Sequence, residues 1–217
     1  MWIILSMLLF SVTFTESFFF TKEKNPDEIE KTAQKGIDSK CLLKSATGDC
    51  TYYTCINDRY PCGSEGFAIR FGLYYCMRMR NKINSLNAAG RVWANSTLRC
   101  QSEALNPLYQ SSSQSCKSIS DAGFDAMHRC FIENNFCDIN WDNRDAIWDI
   151  FDATDLGPGS AASQKMWSKV LKTSGSCLSR RATQFSDWLQ ERTESIGQVI
   201  EDFFRGILEK IKKSIRE

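Results

Sequence analysis

Ten cysteines between Cys41 and Cys177, spaced C-x8-C-x4-C-x6-C-x13-C-x23-C-x15-C-x13-C-x6-C-x39-C, offer more chemistry than any other residues of the chain. Their even number leaves no obligatory free thiol, and none of them forms the C-x-x-C pair that zinc binding or dithiol exchange would use. The set therefore reads as a disulfide framework, which persists only in an oxidising compartment. Spacing alone leaves roughly nine hundred pairings open for ten half-cystines.

Catalytic chemistry is scarce beside it. His128 is the only histidine, so any Ser-His-Asp or Cys-His arrangement must use it. In Met127-His128-Arg129-Cys130 it lacks the adjacent aspartate that a secreted phospholipase of the His-Asp kind places there. There is no H-E-x-x-H, and Gly157-Pro158-Gly159-Ser160 matches a nucleophile elbow in composition only. No catalytic residue, cofactor or nucleophile is assigned, and the chain is expected not to be an enzyme. Asp138, Asn140 and Asp142 occupy positions 1, 3 and 5 of an EF-type calcium loop, but Asp145 and Asp149 fall where an apolar residue and a bidentate glutamate belong. These three are weak metal candidates. Asp142 capping a helix accounts for the same letters. Asn95-Ser96-Thr97 is the single N-x-S/T sequon, expected to be a surface glycan acceptor in a secreted protein.

The N-terminus supplies a route to an oxidising compartment. Its apolar run from Met1 to Phe14 is shorter than the ~20 residues of a bilayer span and reads as the core of a signal peptide, residues 1–17, cleaved after Ser17. No later run of apolar residues is long enough to span, so no transmembrane anchor is expected. Lys+Arg 27 against Asp+Glu 26, with no basic block, argues against nucleic acid as a partner.

The elements that must position these residues look helical. Residues 18–40 form a charged lead-in, read as mobile or as a short frayed helix. From residue 41 to 178 apolar residues recur at steps of three and four: Phe67, Phe71, Tyr74 and Tyr75, continuing through Ile83, Leu86, Ala89, Val92, Trp93 and Leu98. Asn106-Pro107 interrupts the pattern, and Ser111 to Ser115 marks a loop before Cys116. Another helix holds Ala122, Ala126, Met127, Cys130 and Phe131, and a further one, capped by Asp142, holds Ile147, Trp148, Ile150 and Phe151. Leu156-Gly157-Pro158-Gly159 stops it, and Ser163 caps the next, with Met166, Trp167, Val170 and Leu171. Residues 179–217 read as one long amphipathic helix, whose apolar stripe runs from Phe185 to Ile215. Core packing, a partner or dimer contact, and a membrane-surface role all fit that stripe. The fold class is all-α: a disulfide-rich helical domain followed by a C-terminal amphipathic helix.

Cys-Leu at Cys41, Gly-Asp-Cys at Cys50, Tyr-Thr-Cys at Cys55, Tyr-Tyr-Cys at Cys76, Leu-Arg-Cys at Cys100, Arg-Cys-Phe at Cys130 and Phe-Cys at Cys137 form a register that resembles the stanniocalcins. The resemblance covers Cys41 to about Cys177. It implies a secreted, mostly helical glycoprotein hormone acting by binding in extracellular calcium and phosphate balance, with a receptor or a secreted metalloproteinase as partner. It also implies the bridges Cys41–Cys55, Cys50–Cys76, Cys62–Cys116, Cys100–Cys130 and Cys137–Cys177. Familiar members carry an eleventh, chain-linking cysteine that is missing here, so any homodimer is expected to be non-covalent. Their glycan acceptor between the third and fourth cysteines is also missing, with Asn95 standing in. The alternatives are a secreted structural or defence protein with a membrane-active C-terminal helix and, more weakly, a secreted hydrolase.

Overall fold

The computed structural model describes residues 25–151 and Ala182–Thr193, and beyond them Lys165, Met166, Ser168, Lys169, Thr173, Cys177, Asp202, Arg205, Gly206 and Glu209. The signal peptide, the Gly-Pro-Gly stop, the Ser163 cap and most of the apolar stripe after Thr193 lie outside the described residues.

The chain is mostly helical, as its periodicity predicts. Helix α1 (Ser39–Thr47) starts at Asp38, whose carboxylate accepts from Lys40 N–H, and stops at Gly48. Gly48 has φ +66°, where an L side chain is strained, and a Cβ there would sit 2.9 Å from the Arg99 nitrogen. Only glycine both ends α1 and lets it lie against the next long helix. Helix α2 (Tyr52–Arg59) buries Tyr52, Tyr53, Cys55 and Ile56. A π-helical stretch, Ala68–Leu73, leads into α3 (Tyr74–Lys82). Gly72 in that stretch meets the Tyr53 ring so closely that a Cβ would lie 2.3 Å from it, so the widened turn belongs to the close packing on α2.

The expected run from Ile83 to Leu98 is not one helix. A 3-10 turn, Ile83–Ser85, and an extended Leu86 separate α3 from α4 (Ala88–Ala104), which Asn87 caps by accepting from Gly90 N–H. Leu86 is buried and Val92 is 68 % exposed, so the apolar period continues across a turn by coincidence. Asn106-Pro107 opens a short helix, α5 (Asn106–Gln110), since proline lacks the N–H that a first turn leaves unpaired anyway. The expected serine loop contains a strand, β2 (Ser113–Ser115), and the expected frayed lead-in contains its partner, β1 (Glu30–Thr32). They pair antiparallel as Glu30↔Ser115, Lys31↔Gln114 and Thr32↔Ser113. Arg59, 5 % exposed, fastens both segments by donating to the carbonyls of Lys35 and Ser111. Its guanidinium also lies over the rings of Tyr60 and Tyr109.

Ser115 and Ser118 form a reciprocal capping box at the start of α6 (Cys116–Glu133). Two short helices follow, α7 (Phe136–Ile139) and α8 (Arg144–Ile150). Asp142 does not cap α8. Asn143 holds the cap position without a capping bond and turns its side chain inward, accepting from Asn87 N–H and donating to the Ile139 carbonyl, each at 2.8 Å. The reason is burial: an amide satisfies two backbone groups at once, whereas exposed Asp142 keeps its charge in water. The core lies between α2, α3, α4, α6 and α8, around Tyr75, Trp93, Phe124, Phe131, Phe136 and Phe151. Rings meet edge-on at centroid distances such as 5.1 Å for Trp93 with Phe131 and 5.3 Å for Phe71 with Phe124, while Phe71 stacks on Tyr75.

Helix α9 (Ala182–Thr193) belongs to this core along one face. Phe185 and Leu189 are buried, Trp188 meets Trp148 edge-on at 5.7 Å, and its Nε1 donates to Asp145 at 3.0 Å. Arg192 pairs with the same carboxylate at 2.5 Å. Of the three roles open to the apolar stripe, core packing accounts for these turns of it.

Candidate functional site

All ten cysteines are crosslinked: Cys41 to Cys55, Cys50 to Cys76, Cys62 to Cys116, Cys100 to Cys130 and Cys137 to Cys177. The first four loops overlap in sequence, each interlocked with the next, so residues 41–130 form one covalently knitted unit. The fifth loop stands apart and ties Cys177 to α7. No sulfur is left as a nucleophile or thiolate ligand. Among the described residues, the one group of metal-ligand types within 4.8 Å of one another is Cys100, Cys130 and Glu133, and its two sulfurs are already bonded together.

Asp138 lies in α7, and Asn140 and Asp142 in the turn that follows it. The two aspartates are exposed, while Asn140 is buried at 6 %. A calcium loop aims its odd-numbered oxygens inward at one ion, and this helical turn separates them.

His128 meets a close partner that the sequence did not point to. Its Nδ1 lies 2.5 Å from Thr173 Oγ1, which in turn lies 2.8 Å from the Lys169 carbonyl. The hydroxyl has one proton for two neighbours, His128 and the Lys169 carbonyl, and the histidine tautomer sets which of them takes it. A hydroxyl nucleophile has to reach its substrate as well as its base. Thr173 is 1 % exposed, out of reach of a substrate. The contact belongs to a seam along α6 in which Asp121 pairs with Lys165 and Asp125 with Lys169 at 2.9 Å. A threonine four residues after a lysine, returning its hydroxyl to that backbone, is common in helices and gave no distinctive signal.

Two hollows among the described residues bear on function. A core cavity of about 40 Å³, lined by Phe71, Met79, Phe124, Met127 and Met166 among others, is apolar and has room for no more than a water or two. A surface groove of about 330 Å³ opens beside Cys62–Cys116, between Asp27, Glu28 and Glu65 on one side and Lys117, Asp121 and Lys165 on the other. Hydrogen bonds from Lys117 and then Lys165 hold the Asp121 carboxyl below its usual range, so both lysines are committed to that aspartate. The groove therefore keeps an excess of negative charge, from Asp27, Glu28 and Glu65, and presents no nucleophile–base pair.

What remains is surface. Asn95 is exposed on α4, while Leu43 and Val92 stand 66 % and 68 % exposed on α1 and α4. No helix of the described residues is long and apolar enough to cross a membrane. No curated protein sequence matches the chain. A family model does, over residues 6–198, which takes in the whole cysteine-bearing body and the docked helix α9. The chain belongs to the stanniocalcin family, and with its five disulfides that membership points to a secreted protein.

Proposed function

We propose that the chain is a secreted glycoprotein ligand or inhibitor that acts by binding another extracellular protein and performs no turnover. The observation that carries this reading is where its reactive residues go. Every cysteine is a crosslink, and the hydroxyl that meets the single histidine belongs to Thr173, which is buried at 1 % exposure. A protein arranged in this way works through a rigid surface. Family membership supports a hormone-like role in extracellular calcium and phosphate balance, with a cell-surface receptor or a secreted metalloproteinase as the partner. Any self-association is non-covalent, since no sulfur remains to link chains.

The test sets binding against turnover. The secreted chain and its His128→Ala variant are assayed for inhibition of secreted metalloproteinases, for binding to cell-surface receptors, and on ester, peptide and phospholipid substrates. Saturable binding that survives His128→Ala, without turnover, is the expected result. Turnover that disappears with His128 would make the chain an enzyme and end this reading.

A further inference from the structure

The surface groove beside Cys62–Cys116 has two acidic lips, and the fold fixes both. One is the 3-10 turn Pro26–Glu28, capped by the Asn25 side chain, from which Asp27 and Glu28 line the groove. The other is the turn after Cys62, closed where Gly66 N–H donates to the Gly63 carbonyl at 3.2 Å, and it carries Glu65. Lys31 Nζ, donating to the Pro61 carbonyl at 2.6 Å, ties the strand after the first lip to the segment leading into the second, and the disulfide ties the second lip to α6. Phe67 and Phe71 supply an apolar wall, with Phe67 edge-on to Phe124 at 5.1 Å. Four carboxylates thus line the groove against two ammonium groups, and both of these, Lys117 and Lys165, are committed to Asp121. Elsewhere on the surface Asp58, Glu103 and Glu133 each pair with a cation, whereas Asp27, Glu28 and Glu65 form no ion pair with a described residue.

A metal ion does not suit this arrangement. Among the described residues, no three of the groove's carboxylates bring oxygens within 4.8 Å of one another. Charges spread along two lips beside aromatic rings suit a long cationic side chain, which lays its apolar stem on a ring and keeps its head among carboxylates. The groove's own wall contains one such group: Lys165 lies over the Phe124 ring at 5.5 Å while its Nζ pairs with Asp121. The geometry points to a second, supplied from outside: the groove takes an arginine or lysine side chain from a basic segment of a partner protein, with its stem on Phe67 and its cation among Asp27, Glu28 and Glu65. This rests on the binding role proposed above and names the chemistry of the partner at that surface. Because both lips are held in place before any partner arrives, little ordering remains to be done on binding.

The full chain, isotopically labelled and with all disulfides formed, is titrated by NMR with the peptide acetyl-Arg-Ser-Arg-amide and with its citrulline counterpart, which keeps the shape and lacks the charge. Saturable amide shifts gathered at Asp27, Glu65 and Phe67 are expected with the arginine peptide, and none with the citrulline one. Asp27→Asn combined with Glu65→Gln should weaken the arginine peptide by about fivefold or more, whereas Glu103→Gln combined with Glu133→Gln, which removes the same charge elsewhere, should cost less than about twofold. Equal binding of the citrulline peptide, shifts confined to another face, or equal losses in the two double variants would overturn the inference. Displacement of the peptide by micromolar calcium chloride would make the groove an ion site and overturn it as well. Binding that requires removal of residues 18–24 would make the chain's own lead-in the occupant, with the same consequence. In the partner assays above, an extracellular protein bound as tightly by the Asp27→Asn, Glu65→Gln variant as by wild type refutes this inference alone. A chain that binds no such protein and turns over substrate through His128 refutes the reading beneath it.

Discussion

Leu189→Ala decides whether the start of the C-terminal helix belongs to the body. Leu189 is 0 % exposed and lies in the core with Phe185, while Glu191 two residues on is exposed. Removing a buried leucine side chain generally costs about 2–5 kcal/mol, with the larger values where the surroundings cannot close the gap. Helix α9 is held to the body by one face and by the Trp188 and Arg192 bonds to Asp145, so it can shift inward, and the lower half of the range applies: about 2–3 kcal/mol. For a chain of this size that corresponds to a fall of about 5–10 °C in Tm. Urea unfolding with the disulfides intact should show a lower midpoint at unchanged slope, and Glu191→Ala should stay within about 0.5 kcal/mol of wild type. The measurement is repeated over a wide range of protein concentration. If Leu189→Ala matches Glu191→Ala, α9 is not docked and the reasoning fails. If the loss appears only at concentrations where chains associate, Leu189 sits in a dimer contact instead of the core.

Gly48→Ala adds a Cβ at φ +66°, 2.9 Å from the Arg99 nitrogen, and should destabilise by more than the ~1 kcal/mol of a strained backbone alone, measurable by the same urea titration. Replacing Cys137 and Cys177 together by alanine opens a loop of sequence separation 40, for which the chain-entropy relation gives about 4 kcal/mol. Because this loop does not interlock with the other four, near-ultraviolet circular dichroism of the body should survive at low temperature. Asp121 has a depressed carboxyl pKa, so it stabilises the fold above its ordinary value and loses that contribution as pH falls through the folded value. Asp121→Asn should therefore weaken the protein at neutral pH, and the gap to wild type should close below about pH 4, as followed by thermal melts across an acid series.

The helical class could be read from the sequence because Phe67, Phe71 and Tyr75, and later Phe185 and Leu189, sit on one face of their helices and are the residues the core takes. The sheet could not. Glu30–Thr32 and Ser113–Ser115 are polar throughout, with no alternation to detect, and they pair because Arg59 holds their neighbours from beneath. An arginine buried with carbonyls as hydrogen-bond acceptors looks, as a letter, like any surface charge. The break at Leu86 was hidden for a different reason: a short turn can preserve a three-to-four step, and only the Asn87–Asn143 contact reveals it. Asn143 also took over the cap position expected of Asp142, because an amide can be buried between two backbone groups and a carboxylate at that point is better left in water.

The candidate site was legible by elimination more than by pattern. One histidine and ten paired cysteines offer few candidates, but only the folded chain shows that the hydroxyl beside His128 is that of buried Thr173, within a helix seam. The same seam uses Lys165, Lys169, Asp121 and Asp125 to register one helical segment on another. Ion pairs as exposed as these contribute little stability each, so their value lies in fixing register between elements that the fifth disulfide then locks. Crosslinks and charge pairs are thus spent on holding one shape, which suits the binding role proposed above: the less a surface must be ordered on binding, the more of its contact energy appears as affinity.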